Sequence, residues 1–323
     1  MSDRVKVAVV GAGVFGENHL RVICQSQNAE LVAVADIEAQ RREQAAARYG
    51  CRAVADWSEL KGHVQAAVLA TPTVTHADLG CRLLQSGIDL LVEKPLAASN
   101  QEAEALCRTA AAHGRILQVG HLERFNPAVM ALGKLVTLPL FFEIHRMSVF
   151  APRSLDVDVV LDLMIHDLDI VLHLVGKTPE EVRAAGIRIL SEKVDIANVR
   201  LAFPGGCVAN MTASRVSTEK VRKLRLFQPH QYISIDYARQ DGVVFTVGEN
   251  RGIGFQPLAA EKREPLAAQL DAFLEAVRSR SRPHVSGEDA ARTLAVALQI
   301  LDGIQRHGQI VQETLTSLDR TTS

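Results

Sequence analysis

Val5-Lys6-Val7-Ala8-Val9-Val10-Gly11-Ala12-Gly13-Val14-Phe15-Gly16 sets a β-branched run directly against three glycines spaced G-x-G-x-x-G. A helical pattern follows at once, so the stretch reads as strand, tight turn and helix N-terminus. In that context each glycine has a separate task. Gly11 permits the turn, Gly13 lets backbone approach a pyrophosphate, and Gly16 allows close helix–strand packing. Val14 and Phe15 lie between them, where unpaired helix N–H groups favour negative charge. Asp36 stands 20 residues beyond Gly16, at the end of the next strand-like run. A carboxylate there accepts from adenosine ribose hydroxyls and repels a 2′-phosphate, which implies NAD. Two plainer readings stand beside this one: a glycine-rich turn with no ligand, and an Asp36 that caps the helix starting near Glu38.

Leu31–Ala35, Ala66–Ala70, Ile88–Val92 and Ile116–Val119 repeat the strand signal, with alanine-rich helical segments between them. Strands alternating with helix-length segments predict βαβ crossovers and a doubly wound parallel sheet of Rossmann type. Near Phe125 the pattern changes, because Asn126-Pro127 is an N-cap and first-turn pair. The expected division is a nucleotide-binding domain over 1–122 and an α+β domain over 123–323. In the second, Leu140–Val149 reads as a strand and Val159–Val175 as a very apolar helix stopped by Gly176. Asp195–Phe203 and Cys207–Arg215 flank Pro204-Gly205-Gly206, a hairpin signature, and three further strand-like runs extend to Val247. An open, mainly antiparallel sheet with helices on one face is predicted. Two final helices, Leu266–Arg280 and Gly287–His307, pack back on one of the domains.

Bulk properties exclude several function classes. A net charge of -1 provides no field for nucleic acid or an anionic membrane, so any anionic ligand is held by local groups. The five cysteines form no CxxC pair and are odd in number, which implies reduced core thiols rather than disulfides or a zinc site. No apolar run is long enough to span a bilayer, and the first residues lack the apolar stretch of a signal peptide. A cytoplasmic protein is the expectation.

Three further stretches carry chemistry. Glu93-Lys94-Pro95 falls at a strand end, where ligands sit in such sheets, and the Lys94 ammonium can stabilise a developing alkoxide. Asp162, His166, Asp169 and His173 fall within about 60° of each other around a 3.6-residue helix and form one polar stripe on an apolar segment. Such a stripe is either a set of satisfied structural groups or a catalytic pair. Gly120-His121-Leu122-Glu123-Arg124-Phe125-Asn126-Pro127 leads into the second domain. Arg124 suits a nicotinamide ribose or a substrate phosphate, or equally an interdomain salt bridge. His121 is near the cofactor end or purely structural.

With the glycine loop, these stretches resemble the glucose-fructose oxidoreductase, inositol dehydrogenase and MocA (Gfo/Idh/MocA) family over nearly the whole chain. The resemblance implies an NAD-dependent dehydrogenase acting on a sugar hydroxyl and needing no metal. In it Lys94 belongs to the E-K-P signature, His166 takes the hydroxyl proton, and Asp162 orients His166 or holds a neighbouring hydroxyl. Thr71, Pro72 and His76 match the segment that runs along the cofactor. Many relatives carry glycines just before the aspartate, whereas this chain has Asp158-Val159-Val160-Leu161. H-L-E-R-F-N-P-A, E-I-H-R (Glu143 to Arg146) and V-V-L-D-L-M-I-H-D-L-D most resemble the branch that oxidises C3 of UDP-N-acetylglucosamine on the way to lipid A. For that substrate His121, Arg124, Asn126 and Arg153 join Asp162 and His166 as binding residues, with His145 and Arg146 adding cations. Free sugars, inositols and UDP-N-acetylglucosaminuronate are alternatives, and a dinucleotide sensor without turnover is an alternative of another class. An uncovered sheet face predicts a homodimer or homotetramer through the second domain.

Overall fold

In the computed structural model of the chain, described here for residues 4–150, 157–248 and 251–321, two compact units separate. The first holds residues 1–125 with 263–294, the second 126–262 with 295–323. In the first unit the elements are β1 (Val5–Val10), α1 (Val14–Gln25), β2 (Ala29–Ala35), α2 (Ala39–Tyr49), β3 (Arg52–Val54), β4 (Ala66–Leu69), α3 (His76–Gln85), β5 (Asp89–Val92), α4 (Asn100–Ala112) and β6 (Leu117–Val119). All six strands are parallel, in the order β3-β2-β1-β4-β5-β6. This is the doubly wound order whose chain reversal between β1 and β4 opens a crevice at the strand ends. Burial explains the near-continuous apolar strands, since β4 and β5 are buried at every position.

The second unit begins with α5 (Pro127–Gly133), capped by Asn126, and β7 (Phe141–Val149). A π-helical turn, Val160–Met164, runs into α6 (Ile165–Val175), and Gly176 ends it in the left-handed conformation at φ 69°. Then come β8 (Glu181–Ile187), β9 (Ile196–Ala202), β10 (Val208–Ser217), β11 (Val221–Gln228), β12 (Gln231–Asp236), β13 (Asp241–Val247) and β14 (Ile253–Pro257). They form one sheet in the order β14-β13-β12-β11-β7-β10-β9-β8, antiparallel except where β10 joins β7. Alternation along β9 and β11 sends Val199, Leu201, Leu224 and Leu226 to one face, where they meet Leu168, Val171 and Leu172 of α6. The opposite face carries a row of aromatics, Phe141, Phe227, Tyr232, Phe245 and Phe255, with successive ring centroids 5.8, 4.8, 5.5 and 5.2 Å apart.

Two helices close the chain, α7 (Pro265–Ser279) and α8 (Gly287–Thr321). The 123–323 span expected for the second domain gives up residues 263–294 to the first unit. The reason is packing. Leu270, Phe273, Leu274 and Val277 form one apolar stripe of α7, and it completes the core made by β1 and α1. Ile300 and Ile304 of α8 instead join the core of the second unit. The cysteines are all free, but Cys24 is exposed rather than a core thiol. Among the described residues no helix is long and apolar enough to cross a membrane.

Candidate active site

At the strand ends of the first unit lies a cavity of about 650 Å³. Gly11, Gly13, Val14, Phe15, Asp36, Thr71 and Pro72 line it, together with Ile37, Arg41 and Trp57. The glycines divide as their chemistry requires. A Cβ on Gly11, at φ +99°, would come within 2.6 Å of the Ala70 carbonyl oxygen, and one on Gly16 within 1.9 Å of the Gly11 carbonyl oxygen. Gly16 therefore serves packing inside α1 and does not line the cavity. A Cβ on Gly13 would meet nothing within 4 Å, so the space above it is left for a ligand. Val14, Phe15 and Ile37 are 78 %, 59 % and 88 % exposed and form an apolar rim of the cavity.

Asp36 has two duties. Its Oδ2 accepts from Ala12 N–H at 2.7 Å, which ties the glycine loop to β2, and its Oδ1 accepts from Glu38 N–H at 2.8 Å, just before α2. Each oxygen retains a second lone pair able to accept a further hydrogen bond. His76 is buried, with Nδ1 3.0 Å from the Pro95 carbonyl and Nε2 2.9 Å from the Thr71 carbonyl. Burial pushes its imidazole below the ordinary value of 6.5 against the pull of those carbonyls. It is a brace between the loops after β4 and β5, and it does not line the cavity.

Glu93 and Lys94 follow β5, and the Lys94–Pro95 peptide is cis. Glu93 Oε1 accepts from His19 Nε2 at 2.7 Å. Burial alone would push the Glu93 carboxyl up. The His19 hydrogen bond and charge, with the Lys94 charge and backbone N–H, outweigh it and hold the carboxyl below its ordinary value. His121 is buried, and Arg124 is buried with Nη2 donating to the His284 carbonyl at 3.3 Å. Asn126 is committed to structure: Oδ1 caps α5 by accepting from Ala128 N–H at 3.1 Å, and Nδ2 donates to the Tyr237 carbonyl at 3.0 Å.

In the second unit Asp162 sits on the π-helical turn and His166 on the first turn of α6, both half-buried. The expected four-residue stripe does not hold along its length, because Asp169 is buried and His173 exposed. Arg146 is corrected as a substrate cation. It is buried and makes a two-pronged pair with Asp167, Nε to Oδ2 at 2.6 Å and Nη2 to Oδ1 at 2.9 Å, with its guanidinium carbon 5.0 Å from the Tyr237 ring centroid. His145 points to the other face of β7 and lines a surface cavity with Glu143, Asn198 and Arg200. Arg153 lies outside the described residues. Among the described residues no cluster of His, Cys, Asp and Glu is placed to hold a metal ion.

Sequence reading missed His19, Trp57, Ile37 and Arg41. His19 sits one turn beyond Gly16 on the buried side of α1, a position its spacing marks as core. Trp57 opens a 3-10 turn, Trp57–Leu60, capped by Asp56, and that turn follows a strand too short to anticipate.

A Rossmann unit whose glycine loop, acidic residue and apolar rim enclose one cavity, joined to an open-sheet unit, defines a two-domain NAD-binding oxidoreductase. Residues 5–121 match the oxidoreductase family Gfo/Idh/MocA, NAD-binding Rossmann fold, and residues 131–230 match its C-terminal domain. The chain belongs to that family and is an NAD-dependent enzyme. It is 34% identical over 302 residues to a UDP-N-acetylglucosamine 3-dehydrogenase of Acidithiobacillus ferrooxidans, covering 92% of this chain and 96% of the relative. The crystal structures of that enzyme superpose with a TM-score of 0.90 at 33% identity, over 94% of this chain and 99% of theirs. A scyllo-inositol 2-dehydrogenase (NAD(+)) of Bacillus subtilis is 28% identical over 97% of each chain.

Proposed function

We propose that the enzyme oxidises the C3 hydroxyl of UDP-N-acetylglucosamine to the 3-keto sugar nucleotide, a precursor of an amino sugar for lipid A, in the cytoplasm. The observation that carries this reading is the 34% identity, over nearly both full lengths, to a relative named for that reaction. NAD bound in the glycine-loop cavity supplies the hydride acceptor. Lys94 then stabilises alkoxide character on the reacting oxygen as its proton leaves. His166 takes that proton, being the side-chain type whose ordinary pKa lies nearest neutrality. Asp162 orients His166 or holds an adjacent hydroxyl, and Arg124 and Arg153 are assigned to the phosphates. A second reading, oxidation of an inositol or free sugar, is favoured by the 28% identity to the scyllo-inositol enzyme.

Copies of the chain are proposed to pair as a homodimer or homotetramer through the aromatic face of the second unit's sheet. Phe227 is 38 % and Phe255 62 % exposed there, a large apolar surface for a single copy in water.

The test is NADH absorbance on adding UDP-N-acetylglucosamine, UDP-N-acetylglucosaminuronate, glucose or an inositol. The first is expected to respond most strongly, and response to an inositol alone would transfer the assignment to the second reading. Lys94→Ala and His166→Ala are expected to abolish turnover while NAD binding persists. Retained turnover in both would refute the roles given to them.

A further inference from the structure

His19 is 1 % exposed, and its only hydrogen bond among the described residues is the one to Glu93. Its Nδ1 is buried with no hydrogen-bond partner among the described residues, which is unfavourable relative to an apolar residue of similar shape. A side chain retained for packing alone would not carry that penalty, so the bond to Glu93 is what the imidazole is there for. Glu93 is held from the other side by Gly120, where a Cβ would come within 3.1 Å of its carboxyl atoms. A side chain at 120 would make the carboxylate give way by a few tenths of an ångström. Lys94 is the next residue along the chain from this carboxylate, so whatever fixes Glu93 fixes the backbone that leads into Lys94. His76, from α3, also lies within the reach of the Glu93 charge.

These contacts form a short chain. It runs from α1, which opens at the glycine loop, through His19 and Glu93 to the backbone of Lys94. We propose that His19 is a positioning residue that, through Glu93, holds the Lys94 segment in register with the cofactor-binding helix, so that an occupied glycine loop and a correctly placed lysine go together. The proposal rests on the role in turnover given to Lys94 above. His19 itself touches neither sugar nor the reacting atoms.

The experiment uses the full chain with His19→Leu, His19→Gln and Glu93→Gln. One readout is amide hydrogen exchange over residues 93–97 with and without NAD. The other is kcat and KM on whichever sugar the wild type oxidises. In the wild type NAD is expected to slow exchange at Lys94. In His19→Leu that slowing disappears, and kcat falls by ~10–100-fold, the size of loss that a displacement near 1 Å produces. The sugar KM changes little, and NAD affinity changes much less than kcat. His19→Gln, which keeps an N–H for Glu93, recovers most of both signals, an outcome a merely space-filling role would not give. Wild-type kcat and undiminished NAD-dependent protection in His19→Leu would overturn the proposal, as would a loss confined to NAD affinity. Should His19→Leu not fold, His19→Ala decides by the same criteria, and Glu93→Gln, whose amide oxygen still accepts from His19, is expected to keep most of both signals. If the wild type oxidises none of the sugars, the proposed function fails, while the exchange measurement still judges the link from His19 to Lys94.

Discussion

Replacing Gly13 by alanine separates the fold from the ligand site more cleanly than any other single change in the molecule. Gly13 has φ -74° and ψ -172°, extended backbone open to every L-residue, and an added Cβ meets nothing within 4 Å. The free protein should therefore be unharmed, or stabilised by about 0.4–1 kcal/mol through the lower entropy of the unfolded chain. If the pyrophosphate of NAD lies where the glycine loop implies, the methyl occupies the space through which backbone would meet it. We expect NAD affinity to fall ~10–100-fold, equivalent to about 1.4–2.8 kcal/mol. Gly16→Ala is the control with the opposite signature. Its Cβ would lie 1.9 Å from the Gly11 carbonyl oxygen, so α1 must move away from the loop. Overpacking of that kind costs about 1–3 kcal/mol before any ligand is added. Thermal denaturation with and without NAD reads both quantities, since the ligand-induced rise in stability reports Kd directly, and titration calorimetry gives Kd independently. Gly13→Ala binding NAD as tightly as wild type, or melting as early as Gly16→Ala without ligand, would refute the division of labour among the glycines.

Two predictions concern the second unit. Arg146→Ala leaves Asp167 as a buried carboxylate without its cation and should destabilise by roughly 3–5 kcal/mol, whereas the double variant Arg146→Met/Asp167→Leu should recover most of that; denaturant unfolding measures both. Asp195 is fully buried and takes N–H bonds from Ile189, Leu190 and Ser191 at 2.7, 2.6 and 3.0 Å, with the Ser191 hydroxyl at 2.6 Å. Burial pushes its carboxyl up, but these donors outweigh burial and lower it from 3.8 to about 2. Because the folded value is the depressed one, its stabilisation, about 2 kcal/mol, is present at neutral pH and is lost as pH falls from the unfolded value through the folded one. Asp195→Asn should lower Tm at pH 7 and flatten the acid limb of Tm against pH. An unchanged acid limb would show that Asp195 is not among the groups that set it.

The Rossmann half was legible because two periodicities and the glycine loop agree there. β1 falls on Val5–Val10 as read, and β4, β5 and β6 begin or end within a residue of their expected places. What escaped was short or atypical in composition. β3 is three residues long, with two of them exposed, and β8 (Glu-Val-Arg-Ala-Ala-Gly-Ile) carries little β-branched character because it is an edge strand. β14 (Ile-Gly-Phe-Gln-Pro) is exposed throughout, and its Gly254 and Pro257 are residues that weaken a strand signal. That α7 packs back on one of the domains was legible, but not that it is the first. An apolar stripe states that a helix is buried, not against what. The same limit applies to His19, whose helical spacing announces burial while its partner, Glu93, lies 74 residues away.

The departure from glycine before Asp162 has a structural reason. Val159 and Val160 are both 0 % exposed and belong to the core of the second unit. Val159 N–H donates to the Val194 carbonyl at 3.0 Å, and Asp158 Oδ1 accepts from Val194 N–H at 2.9 Å, so the segment is fastened to the chain entering β9. From this anchor the helix starts as a wider π-turn, a feature frequent at functional sites, and the 3.6-residue spacing used for the stripe does not apply across it. Between Ile165 and Leu172 every residue except His166 is buried. Within that run His166 is the one half-exposed side chain, so its truncation should leave the surrounding core intact. That is why loss of turnover in His166→Ala can be ascribed to chemistry. The neighbouring Asp167, one residue on and buried against Arg146, would on truncation to alanine lose activity through instability instead. A His166→Ala protein that melted as early as Asp167→Ala would remove this distinction and with it the reading of residue 166 as a chemical rather than a structural group.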